Sequence, residues 1–218
     1  MQAPVSHTVW GQRLWLSPYR CIFWEQEQVL IVSDLHFGKT GHFRKMGIGV
    51  PQTIYKEDLQ RLLHQVQYFQ PRQLIVVGDF FHSHANKELE LFKKWRNDFP
   101  ALAICLVKGN HDMLQADWYR DCGIELVEEE LQVGSFHFRH DLADKPSSDD
   151  RYFFSGHLHP GVRLQGTARP SLLFPCFYFT GNYCVLPAFS VFTGTVAVRP
   201  LAGDRVFAIV ENSIVTWQ

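Results

Sequence analysis

Carboxylate and imidazole side chains follow apolar runs at several places in this chain. The clearest case is the apolar run 29–32, which is followed by Asp34 and His36. Such a run is typical of a strand buried on both faces, and alternation along an extended segment places both side chains on the same side. A carboxylate and an imidazole in that arrangement favour the binding of one metal ion. The Asp-x-His triplet alone is weak evidence, because it also occurs by chance and in turns.

Three more stretches repeat this design, at residues 74–79, 103–112 and 153–160. In each of them an apolar run leads to a glycine and then to aspartate, asparagine or histidine. One aspartate after a strand is often only a turn former. Four strands that deliver such groups to one sheet edge instead predict a shared metal site at that edge.

The same four motifs, in this order, resemble the signature blocks of the calcineurin-like metallophosphoesterases. They are Asp34-Leu35-His36, Gly78-Asp79, Gly109-Asn110-His111-Asp112 and Gly156-His157-Leu158-His159. The resemblance spans residues 29–160, and the joint pattern is highly specific. It implies an α/β fold (an α+β sandwich) of two packed mixed β-sheets flanked by helices, and a metal-dependent phosphoric ester hydrolase.

Three further stretches resemble a narrower branch, the bacterial DNA-ligase-associated metallophosphoesterases. They are Gly38-Lys39 with residues 42–48 and Pro51, the stretch 78–83, and the stretch 186–194. The last stretch usually carries a second glycine where Ser190 stands here. Because this departure lies outside the metal-binding blocks, we expect it to affect the chemistry little.

The resemblance also implies two divalent metal ions and seven ligands. Asp34, His36 and His159 would bind the first ion, Asn110, His140 and His157 the second, and Asp79 would bridge them. Ligands of these types, without thiolate, suit manganese in the first place, with iron or zinc as alternatives. A water activated between two such ions attacks phosphorus directly, so no serine or cysteine nucleophile is needed.

His140 is assigned from its position in the chain, because the family motif around it is incomplete here. It follows a hairpin predicted for residues 131–138, at the end of the second strand. The competing residue, His137, lies within that strand and points to the face opposite its phenylalanine neighbours. Many family members carry glycine before this histidine, where this chain has Arg139.

Two residues beside the ligands are predicted to be catalytic. By the resemblance, His111 points away from the ions and donates a proton to the leaving oxygen, while Asp112 orients its ring. The alternative is that His111 only caps the following helix.

The substrate is expected to contact basic residues that follow the first two motifs. Lys39, Arg44 and Lys45 lie in a glycine-rich stretch and are predicted to bind substrate phosphates or a nucleic-acid backbone, the alternative being a solvated loop. His82 and His84 are predicted to line the pocket or to hydrogen-bond a phosphate, because the ligand set is complete without them.

Strands and helices alternate through the first part of the chain, and strands then return alone. We expect strands at 9–16 and 21–24, a helix that begins at Pro51, and helices at 87–95 and 112–121. Further strands are expected at 124–127, in the hairpin 131–138, and at 172–180, 183–186, 206–210 and 214–217.

Composition limits the class of protein. With 218 residues, of which 46% are hydrophobic and 20% charged, the chain can bury a sizeable core, and we expect a single domain over residues 1–218. A formal net charge of −1 means that any contact with nucleic acid is local. Five cysteines without a Cys-x-x-Cys pair argue against a disulfide framework or a zinc knuckle. Without a signal-peptide pattern or a run of about 18 apolar residues, we expect a cytoplasmic protein that does not enter a membrane.

The leading hypothesis is therefore a dinuclear metal-dependent phosphodiesterase or nuclease that acts on nucleic-acid or nucleotide phosphodiesters. The branch resemblance implies a role in DNA repair, with partners such as a ligase or a helicase. One alternative is a phosphatase or pyrophosphatase for small-nucleotide or lipid-linked substrates. A metal-binding scaffold without catalysis is less favoured, because all seven ligands are present.

Overall fold

The computed structural model describes residues 2–39, 47, 53–82, 87–143, 150–164 and 171–217. Within these ranges, a first sheet contains seven strands that lie in the order of the sequence. They are β1 (Val5–Val9), β2 (Gln12–Ser17), β3 (Cys21–Trp24), β4 (Val29–Val32), β5 (Gln73–Val77), β6 (Ala103–Val107) and β7 (Ile124–Val127). The pairs from β1 to β4 are antiparallel and those from β4 to β7 are parallel, so this sheet is mixed.

The second sheet contains nine strands in the described part of the chain. They are β8 (Leu131–Val133), β9 (Phe136–Phe138), β10 (Tyr152–Ser155), β11 (Pro160–Leu164), β12 (Leu172–Phe179), β13 (Tyr183–Val185), β14 (Val196–Ala197), β15 (Arg205–Val210) and β16 (Ser213–Trp217). Their order is β14-β11-β12-β13-β10-β9-β8, and β15 pairs with β12 and β16. β10 pairs in parallel with β9 and β13, whereas β12 pairs antiparallel with β11 and β13.

Helices cover one face of the first sheet. The described helices are α1 (Thr53–Phe69), α2 (Lys87–Asn97) and α3 (Ala116–Asp121). Leu62 of α1 and Phe92 of α2 join Leu30 and Val32 of β4 in one buried cluster. Ile31 instead belongs to a second cluster, which is buried between the two sheets. Consecutive residues of β4 thus enter different clusters, as a strand buried on both faces requires. The predicted fold of two packed mixed sheets flanked by helices is confirmed.

Some element boundaries differ from the expectations. The stretch 9–16 is not one strand, because the chain turns between β1 and β2 at Trp10 and Gly11, whose φ angles are 49° and 74°. The helix predicted at 112–121 begins only at Ala116. The sequence pattern did not predict β11 or β14. None of the described helices is long and apolar enough to span a membrane.

A buried ion pair on α1, between Asp58 and Arg61, contacts the stretch 186–194. Arg61 donates a hydrogen bond to Asp58 at 2.8 Å and another to the carbonyl of Phe189, and its guanidinium lies 4.4 Å from the centre of the Phe189 ring. Arg20 donates to the carbonyl of Ser190 at 2.8 Å. The buried Ser190 hydroxyl is hydrogen-bonded to Asp58. The serine at this branch-specific position therefore adds a contact that glycine lacks.

We expect Arg61→Met to lower the free energy of unfolding by about 3–5 kcal/mol, because it leaves the carboxylate of Asp58 buried without the opposite charge of Arg61. Arg120→Met is the matched control. Arg120 and Asp117 have the same spacing in sequence and the same 2.8 Å distance, but their side chains are 74% and 76% exposed, against 15% and 3% for Arg61 and Asp58. Urea unfolding followed by circular dichroism measures both variants. Equal shifts of the two midpoints would show that burial of the pair is unimportant.

Candidate metal centre

The predicted ligands lie at one edge of the molecule because several parallel strands end there. β4, β5 and β6 are parallel neighbours, so the loops that follow them meet at one sheet edge. β9 and β10 of the second sheet are also parallel, and the loops after them approach the same place. Gly156 donates a backbone hydrogen bond to the carbonyl of His140 at 3.1 Å, which joins these two loops.

A first cluster consists of Asp34, His36 and His159. Each offers one ligand atom, and these atoms lie within 4.8 Å of one another. The Nε2 atom of His159 is 3.2 Å from Oδ1 of Asp34. Both ring nitrogens of His36 are buried and lack a hydrogen-bond partner among the described residues. Since buried polar atoms are normally paired, these nitrogens beside a carboxylate fit a bound cation.

A second cluster consists of Asp79, His140 and His157, whose ligand atoms also lie within 4.8 Å of one another. The amide oxygen of Asn110 is 3.2 Å from Nε2 of His140, so it adjoins the same place. The other ring nitrogen of His140, Nδ1, is 3.0 Å from the carbonyl of Val77. A hydrogen bond from Nδ1 to this carbonyl leaves Nε2 available as a ligand atom, as is usual in histidine metal sites.

Asp79 lies between the two clusters. Its Oδ2 atom is 3.9 Å from Nε2 of His36, and its Oδ1 atom is 3.5 Å from Nε2 of His140. Burial raises the pKa of Asp79, but the hydrogen bond and charge of His140 outweigh burial and hold this pKa well below its usual range. Burial likewise lowers the pKa of His140, but Asp79 and Asp34 outweigh it and raise this pKa to about 9. The carboxylates thus create a field that favours positive charge here.

Five of the predicted ligands have an unusual backbone. The φ angles are 53° at Asp34, 49° at His36, 52° at Asp79, 63° at His157 and 49° at His159. Residues other than glycine are uncommon in this left-handed region, which costs about 1–3 kcal/mol per residue and is concentrated at functional sites. The expectation that the first two ligands alternate along an extended segment was wrong. β4 ends before them, and the left-handed backbone brings them together instead.

Ser33 is a residue that the sequence pattern did not single out. Its hydroxyl lies within hydrogen-bond distance of Oδ2 of Asp34 and is 2.9 Å from the carbonyl of Val77. The stretch 186–194 supports the same place, because the backbone N–H of Phe189 donates to the carbonyl of Ser33 at 2.8 Å and that of Ser190 donates to the carbonyl of Asp34 at 3.2 Å. The only feature of the sequence that could have indicated this role is the position of Ser33 directly before Asp34.

The model of the calcineurin-like phosphoesterase family matches residues 28–164, more than half of the chain. The chain belongs to this family. The crystal structure of Pseudomonas putida nuclease MPE is similar to it, with 27% sequence identity, a TM-score of 0.83, and coverage of 98% of this chain and 100% of that one. A structure of Yfce, a phosphoesterase from E. coli, is 13% identical with a TM-score of 0.46, and covers 86% of this chain and 96% of that one. A comparison with curated proteins finds no match.

Membership of the calcineurin-like phosphoesterases makes this protein a phosphoric ester hydrolase. The family typically binds two divalent metal ions, and the two clusters are the candidate positions for them. Their donor set of imidazole, carboxylate and amide groups without thiolate fits manganese, iron or zinc. All five cysteines lie in the described ranges, are buried, and form no disulfide.

His111 and Asp112 lie beside the clusters of this phosphoesterase. The backbone N–H of His111 donates to Oδ1 of Asp79 at 2.9 Å, and its ring centre is 5.6 Å from that of His36. The carboxylate of Asp112 accepts hydrogen bonds from the backbone N–H groups of Phe81 and Gly109, both at 2.9 Å. Asp112 therefore joins the loops after β5 and β6, and burial raises its pKa to about 7. Its orientation of the His111 ring stays a prediction.

The predicted substrate-binding residues are only partly described. The ring of His82 lies 4.3 Å from that of His111, between centres. Lys39 lies three residues after His36 of the first cluster. Partial burial of its side chain lowers its pKa. Arg44, Lys45 and His84 lie outside the described residues, as does Pro51, the predicted start of α1.

His137, the competitor of His140, lies elsewhere. Its Nδ1 atom is 2.8 Å from the carboxylate of Glu130, and its ring packs against Phe153 with 5.2 Å between ring centres. The geometry thus brings His140, and not His137, next to Asp79.

Gly109, in the loop after β6, allows the backbone of this loop to contact the side chain of Asp79 in the loop after β5. A Cβ atom on Gly109 would lie 2.2 Å from Oδ1 of Asp79 and 2.4 Å from its backbone nitrogen. Because backbone cannot move aside cheaply, Gly109→Ala must displace Asp79. We expect roughly a 10²-fold loss of kcat/KM, the effect of a displacement of about 1 Å, and destabilisation of about 1–3 kcal/mol.

Gly181→Ala is the control for this prediction. A Cβ atom on Gly181 would meet nothing within 4 Å. Phosphodiester hydrolysis and thermal unfolding are measured for both variants. If Gly109→Ala is as active and as stable as Gly181→Ala, the close approach of the two loops is not needed for activity.

Proposed function

We propose that this protein is a metal-dependent phosphodiesterase that hydrolyses nucleic-acid or nucleotide phosphodiesters, and so acts as a nuclease. The observation that carries the proposal is the pair of ligand clusters with one carboxylate, Asp79, between them. Similarity along the whole chain to a protein described as a nuclease supports the choice of substrate class.

In this proposal, each predicted ligand has a defined place. Asp34, His36 and His159 would hold one ion, Asn110, His140 and His157 would hold the other, and Asp79 would serve both. Two divalent ions bound there would polarise the phosphate, lower the pKa of a water molecule toward neutrality and stabilise the charge that develops on the phosphate oxygens. Manganese is the proposed native metal, with iron or zinc as alternatives.

The remaining groups bind the substrate or move protons. His111 donates a proton to the leaving oxygen, and Asp112 positions it by fixing the loop between β6 and α3. Lys39 and His82 contact phosphate groups of the substrate, together with Arg44, Lys45 and His84. The DNA-repair role, the ligase or helicase partner, and the cytoplasmic location rest on sequence resemblance and composition, and they stay proposals.

A substrate panel tests the proposal. The protein is freed of metal by chelation, supplied with manganese, zinc or iron, and offered bis-p-nitrophenyl phosphate, p-nitrophenyl phosphate, single-stranded DNA, double-stranded DNA and nucleoside diphosphates. We expect hydrolysis of the diester and of at least one DNA substrate. Preference for the monoester or the diphosphates, with DNA left intact, would favour the phosphatase alternative. Bound metal without hydrolysis of any substrate would favour the scaffold.

A further inference from the structure

A cavity of about 390 Å³ opens beside the second cluster. It lies against the second sheet, and its lining includes His157, which belongs to that cluster, and Tyr178 and Tyr183 from β12 and β13. Val196 and Arg199 line it from the stretch that contains β14. The cavity therefore adjoins the candidate metal centre at His157. Its size is typical of sites for small ligands, which are about 300–1,000 Å³.

The lining is mainly apolar and aromatic, and part of it is held in place. Tyr178 belongs to a third buried cluster on the second sheet, separate from the one between the sheets. Its hydroxyl donates to Oδ2 of Asp204 at 2.6 Å, and its ring meets that of Tyr183 edge-on, with 6.4 Å between centres. The backbone N–H of Leu201 also donates to Oδ2 of Asp204, at 2.8 Å. These contacts fix one aromatic wall before any ligand binds.

Only a few polar side chains line the cavity. Arg199 and Asp141 bear charges, and His157 faces the metal centre as well as the cavity. Apolar and aromatic walls with a few polar groups suit a flat heteroaromatic ring. Contact with tyrosine stabilises the binding of any nucleobase, because every base has a π-face. A cation such as Arg199 suits a neighbouring phosphate.

We propose that this cavity binds the nucleobase of the nucleotide that adjoins the scissile phosphate. The inference rests on the proposed function, because it assigns the base of the same phosphodiester substrate to a specific place. Since the cavity and the second cluster share His157, a phosphate at the cluster brings its own nucleoside to the mouth of the cavity. Because binding is through apolar and aromatic contact, we expect the enzyme to favour substrates that carry a base but to discriminate little among the different bases.

The test compares esters that share a leaving group and differ in the nucleoside. Thymidine 5′-(p-nitrophenyl phosphate) and thymidine 3′-(p-nitrophenyl phosphate) carry a base, whereas methyl p-nitrophenyl phosphate carries none. Tyr183→Leu removes one aromatic ring, and Val196→Glu places a carboxylate in the cavity. Val215→Glu is the control, because Val215 is likewise an exposed strand valine but does not line the cavity. Thermal unfolding identifies any variant that fails to fold, and the other variant then decides.

We expect Tyr183→Leu to lower kcat/KM for at least one thymidine ester by about 5- to 100-fold, the usual range for the loss of one base–aromatic contact. Val196→Glu should lower kcat/KM for the same ester, because it places a charge where the base would bind. The methyl ester should be hydrolysed as fast as by the parent protein, and Val215→Glu should change none of the rates. Equal losses on all three esters, or no loss on any, would overturn the inference while the proposed function stands. A parent protein that hydrolyses none of them would overturn the proposed function, and the inference with it.

Discussion

Asp79→Asn is expected to abolish phosphodiester hydrolysis with little change in fold. Asparagine keeps the shape of the side chain, but it removes the charge that lies 3.5 Å from Nε2 of His140 and 3.9 Å from Nε2 of His36. In the proposed function this carboxylate serves both clusters, so both lose affinity for metal. We expect kcat/KM to fall roughly 10³- to 10⁵-fold, because the variant loses several kcal/mol of transition-state stabilisation. Each loss of about 1.36 kcal/mol lowers the rate tenfold.

Elemental analysis after dialysis and the rate on bis-p-nitrophenyl phosphate measure this effect. Asp117→Asn is the control, because Asp117 is exposed on α3 and pairs with Arg120. An unchanged metal-to-protein ratio together with full activity would exclude Asp79 as the shared ligand. Loss of activity with a large drop in the unfolding midpoint would indicate a structural role instead.

His111→Ala is expected to slow esters with poor leaving groups far more than nitrophenyl esters. General-acid catalysis typically contributes about 10²- to 10⁴-fold, and nitrophenolate leaves without much help from an acid. The ring of His111 lies beside the clusters, 5.6 Å from the ring of His36, but His111 belongs to neither cluster of candidate ligands. Both metal ions should therefore remain bound in the variant.

The measurement compares kcat for an oligonucleotide or a methyl nucleotide diester with kcat for bis-p-nitrophenyl phosphate. His64→Ala, on the exposed surface of α1, is the control for a lost histidine. Equal losses on both ester types would argue that His111 only shapes the loop. Loss of bound metal would place it among the ligands.

The candidate site could be predicted from the sequence because its signals are local. An apolar run followed by a polar residue marks the end of a buried strand, and β4, β5 and β6 end within two residues of positions where the pattern places them. Parallel neighbours end at one edge, so residue types and strand order together predicted a shared site. The same local reasoning was weakest at turns, which is why the break at Trp10 and Gly11 was missed.

Other properties depend on contacts between residues far apart in the chain. The candidate ligands with a left-handed backbone also make tertiary hydrogen bonds, such as that from the backbone N–H of His157 to Asp34, 123 positions away. The contact of Arg61 with the carbonyl of Phe189 spans 128 positions and lies next to Ser190 in the chain. No local pattern predicts such pairs, because their energies depend on burial, and only the packed sheets determine which groups are buried. The sequence by itself determined which side chains are candidate ligands and which strands precede them, whereas the tertiary structure decided their backbone conformation, the residues that support them and the cavity beside them.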